Sequence, residues 1–193
     1  LGYTRLTGVK NGLKAVQTSM VPRGVNALVS KVEITNESAG EKAVDLFSFV
    51  EFCLWNAQDD STNFQRNFST GEVEVDGSTI YHKTEYKERR NHYAFYTVNA
   101  PIQGFDTDRE TFIGLYNEFR DPQQVMQGTI GNSIAHGWSP IASHYIEVTL
   151  QPGESKDCIF LLGYVENEQD QKFEPATPGL LHSGSSPIVN KAK

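Results

Sequence analysis

The 193-residue chain carries 17 Lys and Arg against 24 Asp and Glu, which gives a formal net charge of −7 at pH 7. This acidic balance argues against nucleic acid as a partner, because binding to a phosphate backbone needs clustered cations. Hydrophobic residues make up 38% of the sequence, yet no apolar run approaches the ~20 residues of a membrane-spanning helix, and no signal-peptide pattern opens the chain. We therefore expect a soluble, cytoplasmic globular segment without a membrane partner.

The pattern along the chain is typical of antiparallel β-strands. Short runs alternate polar and apolar residues, contain β-branched and aromatic side chains, and are separated by Gly, Pro, Asn and Asp. The turns Asn11-Gly12 and Asp76-Gly77 tolerate positive φ and predict tight hairpins. The pattern predicts about nine strands, at residues 2–8, 13–20, 27–35, 42–55, 72–75, 79–83, 92–98, 143–150 and 156–164.

The predicted strand at residues 42–55 carries apolar side chains on both faces. On one side lie four apolar residues, Val44, Leu46, Val50 and Phe52. Phe47 and Phe49 face the other side. A strand that is apolar on both faces needs cover from both directions. We therefore expect it to lie at the centre of the fold, between two layers.

Two short helical turns are predicted between the strands. Thr107 followed three residues later by Glu110 resembles a capping box. Asp121 followed by Pro122 combines an N-cap acid with a proline suited to the first helical position. We expect these helices to be single-turn additions to a β-sandwich.

The composition changes near the end of the chain. Residues 174–187 are rich in Pro, Gly and Ser, which is typical of a linker or a surface connection. We therefore assign residues 1–173 to one β-sandwich segment and residues 174–193 to a connection toward further domains. The chain opens at Leu1 inside a strand pattern and closes without a clear stopping element, which we interpret as a segment cut from a longer protein.

The segment from Trp55 to Thr70, WNAQDDSTNFQRNFST, concentrates amides, acids and an arginine among aromatic residues. Planar amides, carboxylates and guanidinium groups bind hydroxyl-rich ligands in fixed directions, and aromatic faces cover the C–H side of a sugar ring. A carbohydrate contact is therefore one interpretation. The alternative is that these polar groups cap turns and satisfy backbone atoms, as Asn and Asp do in any long loop.

The histidines and cysteines are expected to have structural roles and not to bind metal or form a disulfide. His82, His92 and His144 fall in predicted strands and lack the spacing of a metal site such as HExxH. Cys53 and Cys158 both sit in apolar runs, which is typical of buried reduced thiols. We therefore expect no zinc site and no structural disulfide.

Motifs for nucleophilic catalysis or nucleotide binding are missing from the sequence: there is no GxSxG, no GxGxxG and no Walker loop. Asp106, Asp108 and Asp121 could bind calcium, but their spacing departs from that of an EF-hand, and helix capping explains them as well. No catalytic residue and no cofactor are assigned.

Five stretches of the chain closely resemble the cellobiose phosphorylases of glycoside hydrolase family 94. They include DLFSFVEFCLWNAQDDSTNFQRNFSTGEVEV, GFDTDRETFIGLY and GNSIAHGWSPIASH, and they lie at residues 45–75, 80–99, 104–116, 131–144 and 150–167. The resemblance weakens after about residue 173. It implies an all-β fold, a segment of an antiparallel β-supersandwich of galactose-mutarotase-like type with one or two short helices. A helical linker, a catalytic (α/α)6 barrel and a small β domain would follow outside this chain.

The resemblance also implies a function for the intact protein. In this family, the barrel's Asp protonates the glycosidic oxygen while inorganic phosphate, the co-substrate, attacks the anomeric carbon. Cellobiose is thereby converted reversibly, with inversion, to α-glucose 1-phosphate and glucose. The polar stretch is thought to reach the active-site entrance of the neighbouring subunit in a homodimer, which makes Asn56, Asn63, Gln65 and Arg66 the candidate sugar-binding residues.

Two readings of a different class remain open. The chain could be a standalone carbohydrate-binding module that uses the same polar stretch without a barrel. It could also be a purely structural dimerisation domain whose polar stretch never contacts sugar. A related phosphorylase acting on longer glucans or on chitobiose is a third alternative, within the same class.

Overall fold

The computed structural model describes residues 2–52, 71–84, 92–135 and 140–166. These residues form eleven β-strands and two short α-helices. In chain order they are β1 (Tyr3–Lys10), β2 (Leu13–Met20), β3 (Ala27–Asn36), β4 (Lys42–Phe47), β5 (Val50–Glu51), β6 (Gly71–Asp76), β7 (Thr79–Thr84), β8 (His92–Val98), β9 (Gly104–Asp108), α1 (Arg109–Ile113), α2 (Gln123–Gln127), β10 (Pro140–Leu150) and β11 (Ser155–Glu166). The expected all-β antiparallel fold with two short helices is confirmed.

The strands form two sheets of unequal size. The large sheet has seven strands in the order β1-β2-β3-β11-β8-β7-β6. The small sheet has four strands, with β10 paired on one side to β4 and β5 and on the other to β9. Every strand pair is antiparallel. Strand β10 therefore forms the middle of the small sheet.

The two hairpins predicted from turn residues are present. Lys10 pairs with Leu13, so Asn11 and Gly12 form the loop between them, with φ values of 53° and 74°. These positive values explain the Asn-Gly pair, since other residues adopt them only at a cost. In the second hairpin Asp76 pairs with Thr79, so its loop consists of Gly77 and Ser78, one residue later than predicted.

The core lies mainly between the sheets. Its centre includes the fully buried residues Ile80 of the large sheet and Ala142 and Leu150 of the small sheet. Cys158 is also buried there as a free thiol, and burial raises its pKa, which keeps it protonated and unreactive. Cys53 lies outside the described residues.

A second, smaller core covers the opposite face of the small sheet. Phe112 and Ile113 of α1 pack there on Ile141, together with Phe47 and Phe49. The alternation on β4 and β5 thus serves both cores, as the two-sided apolar pattern predicted. The fold needs α1 because the outer face of the small sheet would otherwise remain exposed.

The predicted single strand at residues 42–55 is wrong in two respects. It is interrupted between β4 and β5, and among the described residues both pieces pair only with β10, so they lie at an edge of the small sheet and not at its centre. At the interruption the backbone N–H of His144 donates to the side-chain oxygen of Ser48 at 3.0 Å, while the N–H of Ser48 donates to the carbonyl of His144 at 3.0 Å. The serine hydroxyl thus replaces a backbone acceptor, and the regular ladder resumes at Val50.

The predicted helix caps are each displaced by one residue. Asp108, not Thr107, caps α1, since its carboxylate accepts from the Thr111 N–H at 2.7 Å. At α2 the N-cap is Pro122, and no side-chain hydrogen bond caps the helix. The carboxylate of Asp121 instead accepts from the Glu118 N–H at 3.1 Å, inside the preceding loop.

Candidate functional site

The described residues on either side of the predicted sugar-binding segment lie at one end of the sandwich. In the small sheet, Pro140 at the start of β10 pairs with Asp108, and the next residue, Ile141, pairs with Glu51 at the end of β5. Phe52, the last described residue before the predicted segment, follows directly. Strand ends that pair in this way lie side by side.

The large sheet contributes its own strand ends to the same place. Gly71 pairs with Thr84, and His92 pairs with Glu166 at the end of β11. One step inward, Lys83 pairs with Tyr93, which joins the two pairs into one row. We call this the exit end of the sandwich, marked by Phe52, Gly71, Thr84, His92, Pro140 and Glu166.

Phe52 connects the two sheets at the exit end. Its ring stacks on the imidazole of His82, with ring centroids 5.0 Å apart and planes inclined by 9°. His82 is buried, and burial lowers its pKa from 6.5 to about 4. The histidine is therefore neutral at physiological pH and acts here as an aromatic packing residue, as expected from its position in a strand.

A second buried histidine lies deeper between the sheets. His144 on β10 stacks on Tyr96 at 5.0 Å, and its Nδ1 lies 3.0 Å from the hydroxyl of Ser48. Burial lowers its pKa to about 4, while a backbone contact at Ser78 acts in the opposite direction. Because Ser48 Oγ already accepts from the His144 N–H, its proton is free to be donated to Nδ1.

The small-sheet side of the exit end carries an ion pair on an aromatic ring. The Nε of Arg109 donates to the Glu51 carboxylate at 2.7 Å, and its guanidinium carbon lies 5.1 Å from the centre of the Phe119 ring. Phe119 in turn contacts Phe49 edge-on at 5.2 Å. Since both charged side chains are about one-third exposed, the ion pair contributes at most about 1 kcal/mol to stability.

The large-sheet side shows the same combination of groups. Lys83 donates to Glu74 at 2.8 Å, and its ammonium lies 5.3 Å from the centre of the Tyr93 ring. Each side of the exit end therefore presents a carboxylate, a cation and an aromatic face. Directed hydrogen bonds combined with a ring face are the groups that bind hydroxylated ligands.

A buried carboxylate fixes the loop that precedes β10. Asp106 on β9 accepts from the N–H of Gly131 at 3.0 Å, from the N–H of Ser133 at 2.9 Å and from the hydroxyl of Ser133 at 2.6 Å. A Cβ on Gly131 would lie 2.8 Å from the Asp106 carboxylate, so only glycine fits. Asp106 is thus an anchor for the loop, a role that the sequence did not indicate.

The residues predicted to bind sugar, Asn56, Asn63, Gln65 and Arg66, lie outside the described residues. The structure places their described flanks, Phe52 and Gly71, at the exit end. The sequence analysis predicted neither of the two ion pairs at the exit end. Glu51 and Arg109 are 58 positions apart, and only the shared pairing to β10 brings them together.

The comparisons with known proteins identify the fold family. Residues 1–174 match the model of the supersandwich domain of glycosyl hydrolase 94. The chain belongs to this family. Every described element from β1 to β11 lies within the matched range, and the supersandwich assignment made from the sequence is confirmed.

The relatives of this supersandwich domain include phosphorylases. The chain is 31% identical over 172 residues to an N,N'-diacetylchitobiose phosphorylase from Vibrio proteolyticus, covering 84% of this chain and 20% of that protein. It is 27% identical over 169 residues to a solabiose phosphorylase from Paenibacillus borealis, covering 88% of this chain and 22% of that protein. The chain thus spans about a fifth of the length of these curated relatives.

A solved structure supports the fold. A bacterial glucoamylase complexed with acarbose superimposes with a TM-score of 0.54 over 85% of this chain and 22% of that one, at 9% sequence identity. At this identity the likeness concerns the supersandwich architecture alone. Both helices in the part of the chain that the structure describes are five residues long, too short to span a bilayer.

Proposed function

We propose that this supersandwich domain is the N-terminal part of a cellobiose phosphorylase, which converts cellobiose and inorganic phosphate reversibly, with inversion, to α-glucose 1-phosphate and glucose. The observation that supports this most is the family match across residues 1–174, combined with phosphorylases among the relatives. The catalytic acid belongs to the (α/α)6 barrel in this proposal. The domain itself requires no cofactor, and the whole protein acts in the cytoplasm.

The exit end is the part of the domain that serves the active site. The charged and aromatic groups of Glu51, Arg109, Lys83 and Tyr93 surround the place where the predicted sugar-binding segment leaves and rejoins the described fold. In the proposed homodimer, this end faces the active-site entrance of the neighbouring subunit. Residues of the segment then contact the acceptor sugar.

The test is phosphorolysis by the full-length protein. Purified enzyme is incubated with cellobiose, with and without inorganic phosphate, and α-glucose 1-phosphate is quantified. Release that depends on phosphate supports the proposal. Hydrolysis without phosphate would contradict it. Absence of turnover together with cellobiose binding by calorimetry would favour a carbohydrate-binding module instead.

A second substrate has specific support. The relative that is 31% identical over 172 residues is an N,N'-diacetylchitobiose phosphorylase, whereas the resemblance of residues 45–75 favours cellobiose. The same assay with both disaccharides in parallel distinguishes them. An N-acetylglucosamine 1-phosphate product in large excess would assign the protein to the chitobiose enzymes and would leave the phosphorolytic mechanism unchanged.

Arg66 provides the sharpest test of the sugar-binding segment. Loss of one charged hydrogen bond costs about 1.5–3 kcal/mol, so Arg66→Ala should raise the KM for the disaccharide, or for the acceptor sugar in synthesis, roughly 10- to 150-fold. The KM for phosphate should change little. Arg23→Ala, at an exposed arginine of the turn between β2 and β3, is the matched control, and equal kinetics for both variants would remove Arg66 from the site.

A further inference from the structure

Strand β5 is the shortest of the described strands. It consists of Val50 and Glu51 alone, and within the described part of the chain these pair only with Ala142 and Ile141 of β10. Few backbone hydrogen bonds secure so short a strand, and weakly bonded strand ends open most readily. Phe52 follows β5 directly and is the last described residue before the predicted sugar-binding segment. Side-chain contacts must therefore fix the direction in which the chain leaves β5.

The first of these contacts lies on the outer face of the small sheet. Glu51 accepts at 2.7 Å from the Nε of Arg109, the first residue of α1. Helix α1 is itself fixed, because Phe112 and Ile113 are buried against the small sheet. The guanidinium of Arg109 also lies on the ring of Phe119, which limits the orientations it can adopt. Arg109 therefore ties the end of β5 to a rigid element.

The second contact lies on the inner face of the small sheet. Successive residues of a strand point to opposite faces, and Phe52, next after Glu51, is buried in the core between the sheets. Its ring stacks on His82 of β7 at 5.0 Å. We call Glu51, Arg109, Phe52 and His82 the β5 clamp. Because the clamp holds two consecutive residues from opposite sides, the chain cannot rotate about the strand axis without breaking one of the two contacts.

The two contacts of the β5 clamp differ in burial. Phe52 and His82 belong to the core, so a substitution there would disturb the whole sandwich. The side chains of Arg109 and Glu51 are 36% and 31% exposed, so their pairing can be removed without opening the core. Loss of a partly exposed ion pair shifts a local equilibrium by up to about fivefold. Arg109 is therefore the residue at which the clamp can be loosened while the fold is retained.

We propose that Arg109 is a positioning residue for the acceptor sugar: through the β5 clamp it sets the direction in which the sugar-binding segment leaves the sandwich. The inference rests on the proposed function, in which that segment contacts the acceptor. Arg109 acts through Glu51 and contacts no sugar itself. When only a fraction of the molecules has the competent arrangement, the apparent affinity falls by that fraction. Loosening the clamp therefore raises the KM for the acceptor and leaves kcat at saturating acceptor unchanged.

The kinetic experiment uses the full-length enzyme in the direction of synthesis, with α-glucose 1-phosphate as donor and glucose as acceptor. If the parallel assay selects chitobiose, the N-acetylated donor and acceptor replace them. Arg109→Ala should raise the acceptor KM about two- to fivefold, with kcat and the donor KM unchanged. Arg109→Lys keeps a cation beside Glu51 and should fall between the parent and Arg109→Ala.

Lys31→Ala is the matched control. It removes another exposed ion pair, with Asp157 at 3.2 Å, between β3 and β11 of the large sheet. Because this pair belongs to neither side of the β5 clamp, all three kinetic constants should keep the values of the parent enzyme.

A second measurement tests the clamp without any turnover. Backbone hydrogen exchange is followed by mass spectrometry on peptides that contain Val50 and Glu51. Exchange in β5 should accelerate about two- to fivefold in Arg109→Ala, less in Arg109→Lys, and not in Lys31→Ala. Equal acceleration throughout β10 would assign Arg109 to overall stability and would overturn the inference.

Two further results would also overturn it. Unchanged exchange in β5 after Arg109→Ala would show that the ion pair does not secure the strand. Faster exchange with an unchanged acceptor KM would show that β5 does not position the acceptor. Both differ from failure of the proposed function, which would be seen as absence of phosphorolysis in the parent enzyme itself.

Discussion

Two strands of this supersandwich domain differ as much as strands can. All residues of β10 are buried except two near its C-terminal end, whereas every residue of β1 is exposed. Both form antiparallel ladders, although the pairing of β10 with β9 shifts register between Pro140 and Ser143, and both come from sequences that favour strands. The difference lies in their neighbours, since β10 has strands on both sides and a core on each face, while β1 pairs only with β2.

This contrast teaches where stability is concentrated in the domain. Residues of β10 contact both cores, so a change there affects the packing of both layers. Residues of β1 change their surroundings little between the folded and unfolded chain. Substitutions on the two strands should therefore differ in cost even when the same kind of side chain is removed.

The largest effect is expected at Ile141. Its side chain is fully buried on β10 against Phe112 and Ile113, so Ile141→Ala should lower the free energy of unfolding by about 2–5 kcal/mol, through lost burial and the cavity that remains. Urea denaturation followed by circular dichroism measures it. A loss below about 1 kcal/mol would mean that α1 collapses into the cavity and that this core is not closely packed.

The neighbouring strand β9 should show the next effect. Asp106→Asn replaces a carboxylate that accepts three hydrogen bonds, one on Oδ2 and two on Oδ1, by an amide whose NH2 must face at least one of the same donors. The free energy of unfolding should fall by about 1.5–3 kcal/mol, as for other charged hydrogen bonds. Hydrogen exchange of Gly131 and Ser133 should accelerate. Asp76→Asn, at the exposed end of β6, is the control and should leave both quantities unchanged.

Acid should lower the free energy of unfolding through the two buried histidines between the sheets, whereas β1 contains no histidine and should contribute nothing to this loss. An imidazole whose pKa is lower in the folded state binds fewer protons there than in the unfolded chain, so stability is complete above pH 6.5 and decreases as the pH falls from 6.5 to 4. Between pH 7 and pH 5, each of His82 and His144 should account for a loss of about 2 kcal/mol.

His82→Phe isolates one of these histidines. No hydrogen-bond partner of the His82 ring nitrogens lies among the described residues, and a phenyl ring can retain the stacking on Phe52. The variant should therefore keep its stability at pH 7 and lose about 2 kcal/mol less than the parent on acidification to pH 5. Identical pH dependence in the two proteins would show that His82 is accessible to protons in the folded state.

The smallest effect is expected at Leu6 on β1. Its side chain is 60% exposed, so Leu6→Ala should change the free energy of unfolding by no more than about 0.5 kcal/mol, as other exposed substitutions do. The same urea titration used for Ile141→Ala gives the comparison directly. A loss approaching that of Ile141→Ala would reveal that a further part of the full-length protein covers this edge.

Much of the architecture followed from local pattern, and the exceptions share a cause. The hairpin at Asn11-Gly12 and the two-sided apolar pattern around Phe47 and Phe49 depend on neighbouring residues, and both are present, although the strand itself is interrupted. Strand β9 was missed because its buried positions are polar, with Asp106 and Thr107 both fully buried. Their partners lie about 25 positions later in the chain, so no local pattern could indicate their burial.

The candidate site also has one part that the sequence predicted and one part that only the structure revealed. The polar segment that contains Arg66 was recognised from residue types and from family resemblance, and its role stays a prediction. The ion pairs of the exit end, Glu51 with Arg109 and Glu74 with Lys83, carry no sequence signature. They arise because strand register brings together side chains that are distant in sequence.

The sequence by itself determined the fold class, the turns, the alternating faces of the strands and the family of this domain, because each depends on short-range geometry or on a long continuous match. Only the tertiary structure decided which strands are central, which polar groups are buried, and where the strand ends meet. Those features depend on pairing between distant segments. Period-two alternation specifies that a segment is a strand, but not which neighbours the strand will have.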